Sequence, residues 1–324
     1  MRLRDGCFLS RMPQLPPLPT GFRYSPAIPY EPGVTRRDPS PVIRIGSLYH
    51  VWYTYATRDP SGYFGEIRHA VSPDGRRWSE HDTALRPGTA GAWDSNGVFT
   101  PTILVAGGRL YLFYTAVPAP FDNDGGGPRG TPTAIGVATA DSPGGPWRKC
   151  GANPILRPSP SPEVPDSHRI DDACVVVRNG TYWLYYKGRQ RGKTPAETVM
   201  CLATARDPFG PYVKCNRNPV IRSGHEVCVW PHGPGVAALV SPCGPEGGTL
   251  QYSPDGLRFR IVARVTPPAA PGPFRADHYQ DGPGPGITWG LCHDTWSAPR
   301  PFLLRFDVTE SIEFNEDEAP TPPA

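Results

Sequence analysis

The segment IDDACVVVRNGTYWLYYKGR, residues 170–189, decides the fold of this chain. An apolar run, ACVVV, leads to Asn179-Gly180 and then to an aromatic run, YWLYY. An Asn-Gly pair between two runs of β-prone residues is a strong local signal for a two-residue β-hairpin. The segment therefore predicts two antiparallel strands that meet at Asn179.

The same plan recurs along the chain. The related segments are DPSPVIRIGSLYHVWYTYA from Asp38, TPTILVAGGRLYLFYTAV from Thr100 and, less regularly, HEVCVWPHGPGVAALVS from His225. A strand of small residues follows the first three hairpins (EIRHAVS, TAIGVATA and TVMCLATA), and a turn motif such as SPDGRRW or DSPGGPW comes next. A weaker fifth unit runs from about Pro273 to Val308.

Four-stranded units that repeat at this spacing predict an all-β protein, a five-bladed β-propeller with four-stranded blades around a central channel. A β-sandwich is the alternative, but it would not repeat one turn motif at the same place in each unit. We expect residues 1–20 to be a disordered or arm-like N-terminus, residues 21–310 to form the propeller, and residues 311–324 to be a disordered tail.

The composition argues against several partners. The formal net charge is +3, with no basic run, which favours neither a nucleic-acid nor a membrane partner. No stretch of about 18 apolar residues occurs, so nothing predicts a membrane span. The eight cysteines show no metal-binding spacing. Reduced cysteines and a cytoplasmic location are the expectation, or a periplasmic or secreted one if a signal peptide has been removed.

The repeats also predict a site. When the units are aligned on the first tyrosine of each aromatic strand, one position holds Asp38, Thr100, Asp171 and then His225, with Glu226 beside it. The first strand of each propeller blade lines the channel, so these side chains should converge at one mouth. Two carboxyl groups that face one polar pocket are what glycoside hydrolysis requires. Turn or capping roles for Asp38 and Asp171, and a structural role for His225, remain alternatives.

Other residues are candidates for binding. Trp93, in the loop TAGAWDSNGVF, and Trp230, just after HEVCV, could stack on a sugar ring. Thr100, Asp172 and Lys187 are predicted to bind substrate near the carboxylates. His278 is a candidate ligand for one divalent cation on the channel axis, or else a structural histidine. No organic cofactor is expected.

The phrases RRDPSPVIRIGSLYHVWYT, GVFTPTILV, IDDACVVVRNGTYWLYYKGR and GHEVCVWP resemble glycoside hydrolase family 117. The wider superfamily includes families 43, 32, 68 and 130. The resemblance implies an exo-acting, inverting enzyme that releases 3,6-anhydro-L-galactose from neoagaro-oligosaccharides. It implies that Asp38 is the general base, that Asp171 tunes the pKa and orients the sugar, and that His225 or Glu226 is the acid. A swapped homodimer is known in the family and is left open here.

Two other functions compete with this interpretation. A family 43-like glycosidase would release another terminal sugar, such as arabinofuranose, xylose or galactose. A glycan-binding propeller without catalysis would not need the acids to converge. In each case an oligosaccharide is the expected partner.

Overall fold

The predicted hairpins form the inner strands of consecutive sheets. The computed structural model describes residues 15–58, 61–120 and 131–314, and in it five antiparallel sheets of four or five strands form a ring. This arrangement confirms the five-bladed β-propeller. The inner strands of the second and third sheets contact each other, as do those of the third and fourth.

The strands are assigned to blades in chain order as follows: β1 (Leu18–Ile28) in blade 5; β2 (Thr35–Arg37), β3 (Ile43–Ile45), β4 (Leu48–Ala56), β5 (Glu66–Ser72) and β6 (Ser79–Leu85) in blade 1; β7 (Gly97–Ala106), β8 (Arg109–Val117), β9 (Ala134–Ala140) and β10 (Arg148–Lys149) in blade 2; β11 (Arg169–Arg178), β12 (Thr181–Arg189), β13 (Val199–Ala205) and β14 (Val213–Lys214) in blade 3; β15 (Cys228–Gly233), β16 (Gly235–Val240), β17 (Thr249–Ser253) and β18 (Arg260–Arg264) in blade 4; β19 (Gly272–Pro273) in blade 5; β20 (Gly284–Pro285) at the edge of blade 4; and β21 (Trp289–His293) and β22 (Leu303–Ile312) in blade 5. A short 3₁₀ helix spans Pro195–Glu197.

Blade 5 joins the two ends of the chain. Its strand order is β1-β22-β21-β19, so the first strand of the described residues forms the outer edge of the last blade. The expected boundaries of the propeller at residues 21 and 310 fall inside β1 and β22. Residues 1–14 and 315–324, which include most of the predicted arm and tail, lie outside the described residues.

One residue near the start of each inner strand has a left-handed backbone. These residues are Asp38 (φ 50°), Thr100 (φ 44°), Asp172 (φ 47°), Glu226 (φ 50°) and Ala270 (φ 45°). Non-glycine residues rarely adopt this conformation, and such strain clusters at functional sites. All five residues line the same axial pocket, so they are the structurally equivalent positions of the five blades.

This equivalence corrects the sequence alignment by one residue in blades 3 and 4. The alignment on Tyr49 and Tyr182 makes Thr54, in the second strand of blade 1, equivalent to Lys187, in the second strand of blade 3. Thr54 pairs with the residue before Asp38, however, and Lys187 pairs with Asp171. The first strand of blade 1 is interrupted between β2 and β3, so the stretch from Asp38 to Tyr49 is one residue longer than the stretch from Asp172 to Tyr182. Asp172, not Asp171, is therefore level with Asp38.

Two buried histidines lie between blades 1 and 2. Nδ1 of His50 is 3.0 Å from Nε2 of His69, and both rings stack near Trp52. Burial lowers the pKa of His50 to about 4 and that of His69 to about 3. Both rings are therefore neutral in the folded protein over the whole range in which an unfolded histidine takes up a proton.

We expect this pair to make the fold sensitive to acid. Below about pH 6.5 these histidines bind protons in the unfolded chain but not in the folded one, so the free energy of unfolding falls as the pH falls. The loss is about 2 kcal/mol per histidine at pH 5. Urea unfolding at pH 7.5 and pH 5 measures the loss. His69→Gln should reduce it, whereas His278→Gln, on the exposed surface, should not. An unchanged loss in His69→Gln would contradict this explanation.

Candidate active site

The axial pocket collects carboxylates from three blades. Asp38 of blade 1, Asp172 of blade 3 and Glu226 of blade 4 line it together with Thr100 and Ala270. Small or apolar residues that follow these positions also line the pocket: Pro39, Pro101, Ala173, Val227 and Pro271. The left-handed backbone at each position turns a strand end toward the axis and so brings acids distant in sequence to one mouth.

Arg37 and His293 link two of these acids. Arg37 Nε lies 2.9 Å from Asp38 Oδ2, and its Nη2 lies 3.1 Å from Glu226 Oε1. The backbone N–H of Asp38 donates to Nδ1 of His293 at 3.3 Å, while Nε2 of the same ring is 3.8 Å from Glu226 Oε1. With Nδ1 as acceptor, the neutral ring carries its proton on Nε2, toward Glu226.

These contacts keep Glu226 ionised. Burial opposes its charge, but the charges of His293 and His225, in their protonated forms, and of Arg37 outweigh burial and hold the pKa of Glu226 at about 2. One oxygen of Asp38, one of Glu226 and a ring nitrogen of His293 all lie within 4.8 Å of one another. In this arrangement Glu226 is an ion-paired carboxylate.

Asp171 and Asp172 share one partly buried lysine. Lys187 Nζ is 3.2 Å from Asp171 Oδ2 and 2.7 Å from Asp172 Oδ2. Oδ1 of Asp171 accepts hydrogen bonds from the hydroxyls of Thr100 (2.7 Å) and Thr115 (2.6 Å). Burial, together with the negative charges of Asp171 and Asp38, raises the pKa of Asp172 to about 7, although Lys187 acts in the opposite direction. Lys187 and the two hydroxyls, in contrast, overcome burial and lower the pKa of Asp171.

A second pocket adjoins this pair. It is lined by Tyr63, Asp171, Lys187 and His225, with Arg169 and Arg189 beside them. Burial lowers the pKa of His225, although the nearby Glu226 acts to raise it. His225 lines this second pocket and Glu226 lines the axial one, as expected for neighbouring residues on one chain segment. The negative charge of Asp38 nevertheless acts on His225 and favours a higher pKa.

The remaining predicted residues are distributed as follows. Thr100 positions Asp171, and Trp93 lines a separate cavity beside blade 2. Trp230 is 1% exposed and packs in the core of blade 4, so its ring is not available to a sugar. His278 is exposed and does not belong to the cluster on the axis.

Sequence reasoning missed several residues of the site, among them Arg37, Tyr63 and His293. Arg37 sits next to Asp38, and its basic charge could have marked it as a partner. His293 lies in the fifth unit, where the repeat is too weak to place it.

The donor set gives little support for a resident metal ion. Asp38, Glu226 and His293 offer ligand atoms at suitable mutual distances. The Arg37 guanidinium already contacts both carboxylates and supplies the positive charge that a cation would provide. A divalent cation would have to displace Arg37 or accept its repulsion.

The chain is similar to several known glycoside hydrolases. The family model for glycosyl hydrolases family 43 matches residues 34–193. A family 117 glycoside hydrolase of the marine bacterium Zobellia galactanivorans is 33% identical, with a TM-score of 0.80 and coverage of 90% of each chain. Fructan 1-exohydrolase IIa from Cichorium intybus has a TM-score of 0.58 at 17% identity, over 88% of this chain and 56% of that one, and shows the fold alone.

Two curated relatives match part of the chain. Sucrose:sucrose 1-fructosyltransferase of Festuca arundinacea is 32% identical over 151 residues, which are 44% of this chain. Beta-fructofuranosidase, cell wall isozyme, of Pisum sativum is 26% identical over 153 residues, which are 45% of this chain. The matched region spans 20% and 25% of these relatives.

A propeller whose blades bring carboxylates together at the channel mouth defines the class of β-propeller glycoside hydrolases. On the similarity to the Zobellia enzyme, this chain belongs to glycoside hydrolase family 117.

We expect Lys187→Met to destabilise the protein by about 3–5 kcal/mol at pH 7.5, because it leaves two buried carboxylates without their cation. The loss should shrink as the pH falls and the carboxylates become protonated. Chemical unfolding at pH 7.5 and pH 5 measures both effects. Lys193→Met, which removes an exposed pair with Glu197, is the matched control and should change little. A Lys187→Met variant as stable as the wild type would show that the lysine does not hold the pair.

Proposed function

We propose that this protein is an exo-acting glycoside hydrolase that releases terminal 3,6-anhydro-L-galactose from neoagaro-oligosaccharides with inversion. The observation that carries the proposal is the convergence of Asp38, Asp172 and Glu226 on one pocket. The family of the chain supports this choice of sugar over arabinofuranose, xylose or galactose. Release of a monosaccharide from a panel of oligosaccharides tests it and excludes a purely binding propeller.

Asp38 is the proposed general base. Its carboxylate accepts a hydrogen bond from Arg37, and its backbone is fixed by His293. In the proposed reaction Asp38 takes a proton from water while the water oxygen attacks the anomeric carbon. The bond from that carbon to the leaving oxygen breaks, and the oxygen receives a proton from the acid.

His225 is the proposed acid. Glu226 is ion-paired, its pKa is about 2, and an oxygen of it lies within 4.8 Å of an Asp38 oxygen. Inverting enzymes hold base and acid roughly 6.5–9.5 Å apart so that water fits between them. His225, in the pocket with Asp171 and Lys187, is not part of the Arg37 ion pair, and burial lowers its pKa from the ordinary histidine value. Lys187 and Asp171 would orient the sugar there.

The leaving group distinguishes the two candidate acids. His225→Ala should lose activity on a natural oligosaccharide by about 100-fold or more, and most of it should return on a nitrophenyl glycoside, whose leaving group needs no proton. Glu226→Gln should be impaired to a similar degree on both substrates. If Glu226→Gln alone is rescued by the good leaving group, Glu226 is the acid.

The pH profile gives an independent check. Because His225 must be protonated to act and burial lowers its pKa, the alkaline limb of kcat/KM should fall below pH 6.5. Glu226→Gln removes a charge that raises the pKa of His225, so it should move the limb to still lower pH. A limb that stays in place in Glu226→Gln would contradict the assignment.

A further inference from the structure

The cavity lined by Trp93 lies on the same face as the catalytic pockets, between blades 2 and 3. Its walls include Trp93, Thr133, Arg157, Ser167 and Arg191. The Thr133 hydroxyl donates to the carbonyl of Ile170 at 2.7 Å, and Ile170 precedes Asp171. Ser167 lies about 13 Å of extended chain from Asp171, so the cavity and the catalytic pocket are neighbours.

Buried ion pairs fix the two loops that form this cavity. Next to Trp93, Asp94 lies 2.5 Å from Lys149 Nζ. Next to Ser167, Asp166 lies 2.5 Å from Lys214 Nζ. Both carboxylates are almost fully buried. The cavity walls are therefore held in place before any ligand arrives, which lowers the entropic cost of binding.

Trp93 presents an aromatic surface to the cavity. Its ring stacks on Tyr114 with centroids 5.7 Å apart, and a Cβ at Gly136 would come within 2.8 Å of it. The glycine thus lets the indole lie flat against blade 2, while the rest of the half-buried ring lines the cavity. A flat aromatic surface of this kind suits the apolar side of a sugar ring.

Two arginines give the cavity a positive charge. The backbone of Arg157 is anchored by Lys214, whose Nζ donates to its carbonyl at 2.7 Å, and the backbone N–H of Arg191 donates to Ser167 at 3.1 Å. Their side chains are exposed. Within residues 15–58, 61–120 and 131–314, neither guanidinium forms an ion pair with a carboxylate. The guanidinium group is the side chain best suited to bind a sulfate or carboxylate in two-point contact.

We propose that this cavity is a distal subsite that binds an anionic group, a sulfate ester or a uronate carboxylate, on the oligosaccharide cleaved at Asp38. Trp93 stacks on the sugar that carries the group, and Arg157 and Arg191 bind its charge. This inference rests on the proposed function, which places the cleaved bond of the oligosaccharide at Asp38. Binding to the subsite can nevertheless be measured without cleavage.

The experiment compares three oligosaccharides of equal length: a neutral neoagaro-oligosaccharide, one with a sulfate ester, and one with a uronate. Calorimetry with the Asp38→Asn variant measures binding, and wild-type hydrolysis gives kcat/KM. We expect at least one anionic chain to bind about tenfold or more tightly than the neutral chain, and which one does so identifies the group. The preference should weaken as salt is added.

Variants localise the effect. The double variant Arg157→Gln, Arg191→Gln should lose the preference for the anionic chain and bind the neutral chain as tightly as before. Arg217 is an exposed arginine outside the cavity, so Arg217→Gln should have no effect. Trp93→Ala should weaken the binding of all three oligosaccharides. Equal binding of the three chains, or a preference that survives loss of both arginines, would overturn the subsite. Binding without cleavage would refute the proposed function alone.

Discussion

The whole site depends on one backbone constraint, the left-handed residue near the start of each inner strand. An ordinary strand would alternate its side chains between the two faces of the sheet. The left-handed turn instead directs one residue per blade toward the axis, and in blades 1, 3 and 4 that residue is Asp38, Asp172 or Glu226. Because non-glycine residues resist this conformation, the surrounding sheets must hold it in place.

Charge balance is the second requirement created by that convergence. Several carboxylates at one mouth would repel one another and would lose ionisation on burial. Two cations balance these charges, since Arg37 spans Asp38 and Glu226 while Lys187 spans Asp171 and Asp172. This arrangement leaves Glu226 strongly acidic, whereas the pKa of Asp172 is raised, so chemically similar groups in one pocket differ widely in pKa.

The fold could be read from the sequence because hairpins and turns are local. The Asn179-Gly180 hairpin and the repeated turn motifs depend on neighbours in the chain, and both predicted the blades correctly. The closure of blade 5 by β1 could not be seen, because Leu18–Ile28 pairs with a strand at the opposite end of the chain. The alignment in blade 3 missed by one residue because a break in the first strand of blade 1 leaves no mark in the hydrophobic pattern.

The site could be predicted only in part for the same reason. Asp38, Asp171, His225 and Glu226 stood out by their place in the repeat, whereas the partners that set their charges, such as His293, come from a blade with almost no repeat signal. The central claim is that Asp38 activates a water molecule and does not itself attack the sugar. Proton NMR of the first-formed sugar tests it directly, because the anomeric configuration should be inverted. A retained configuration would make Asp38 a nucleophile, with Glu226 as its close-spaced acid, and would contradict the account.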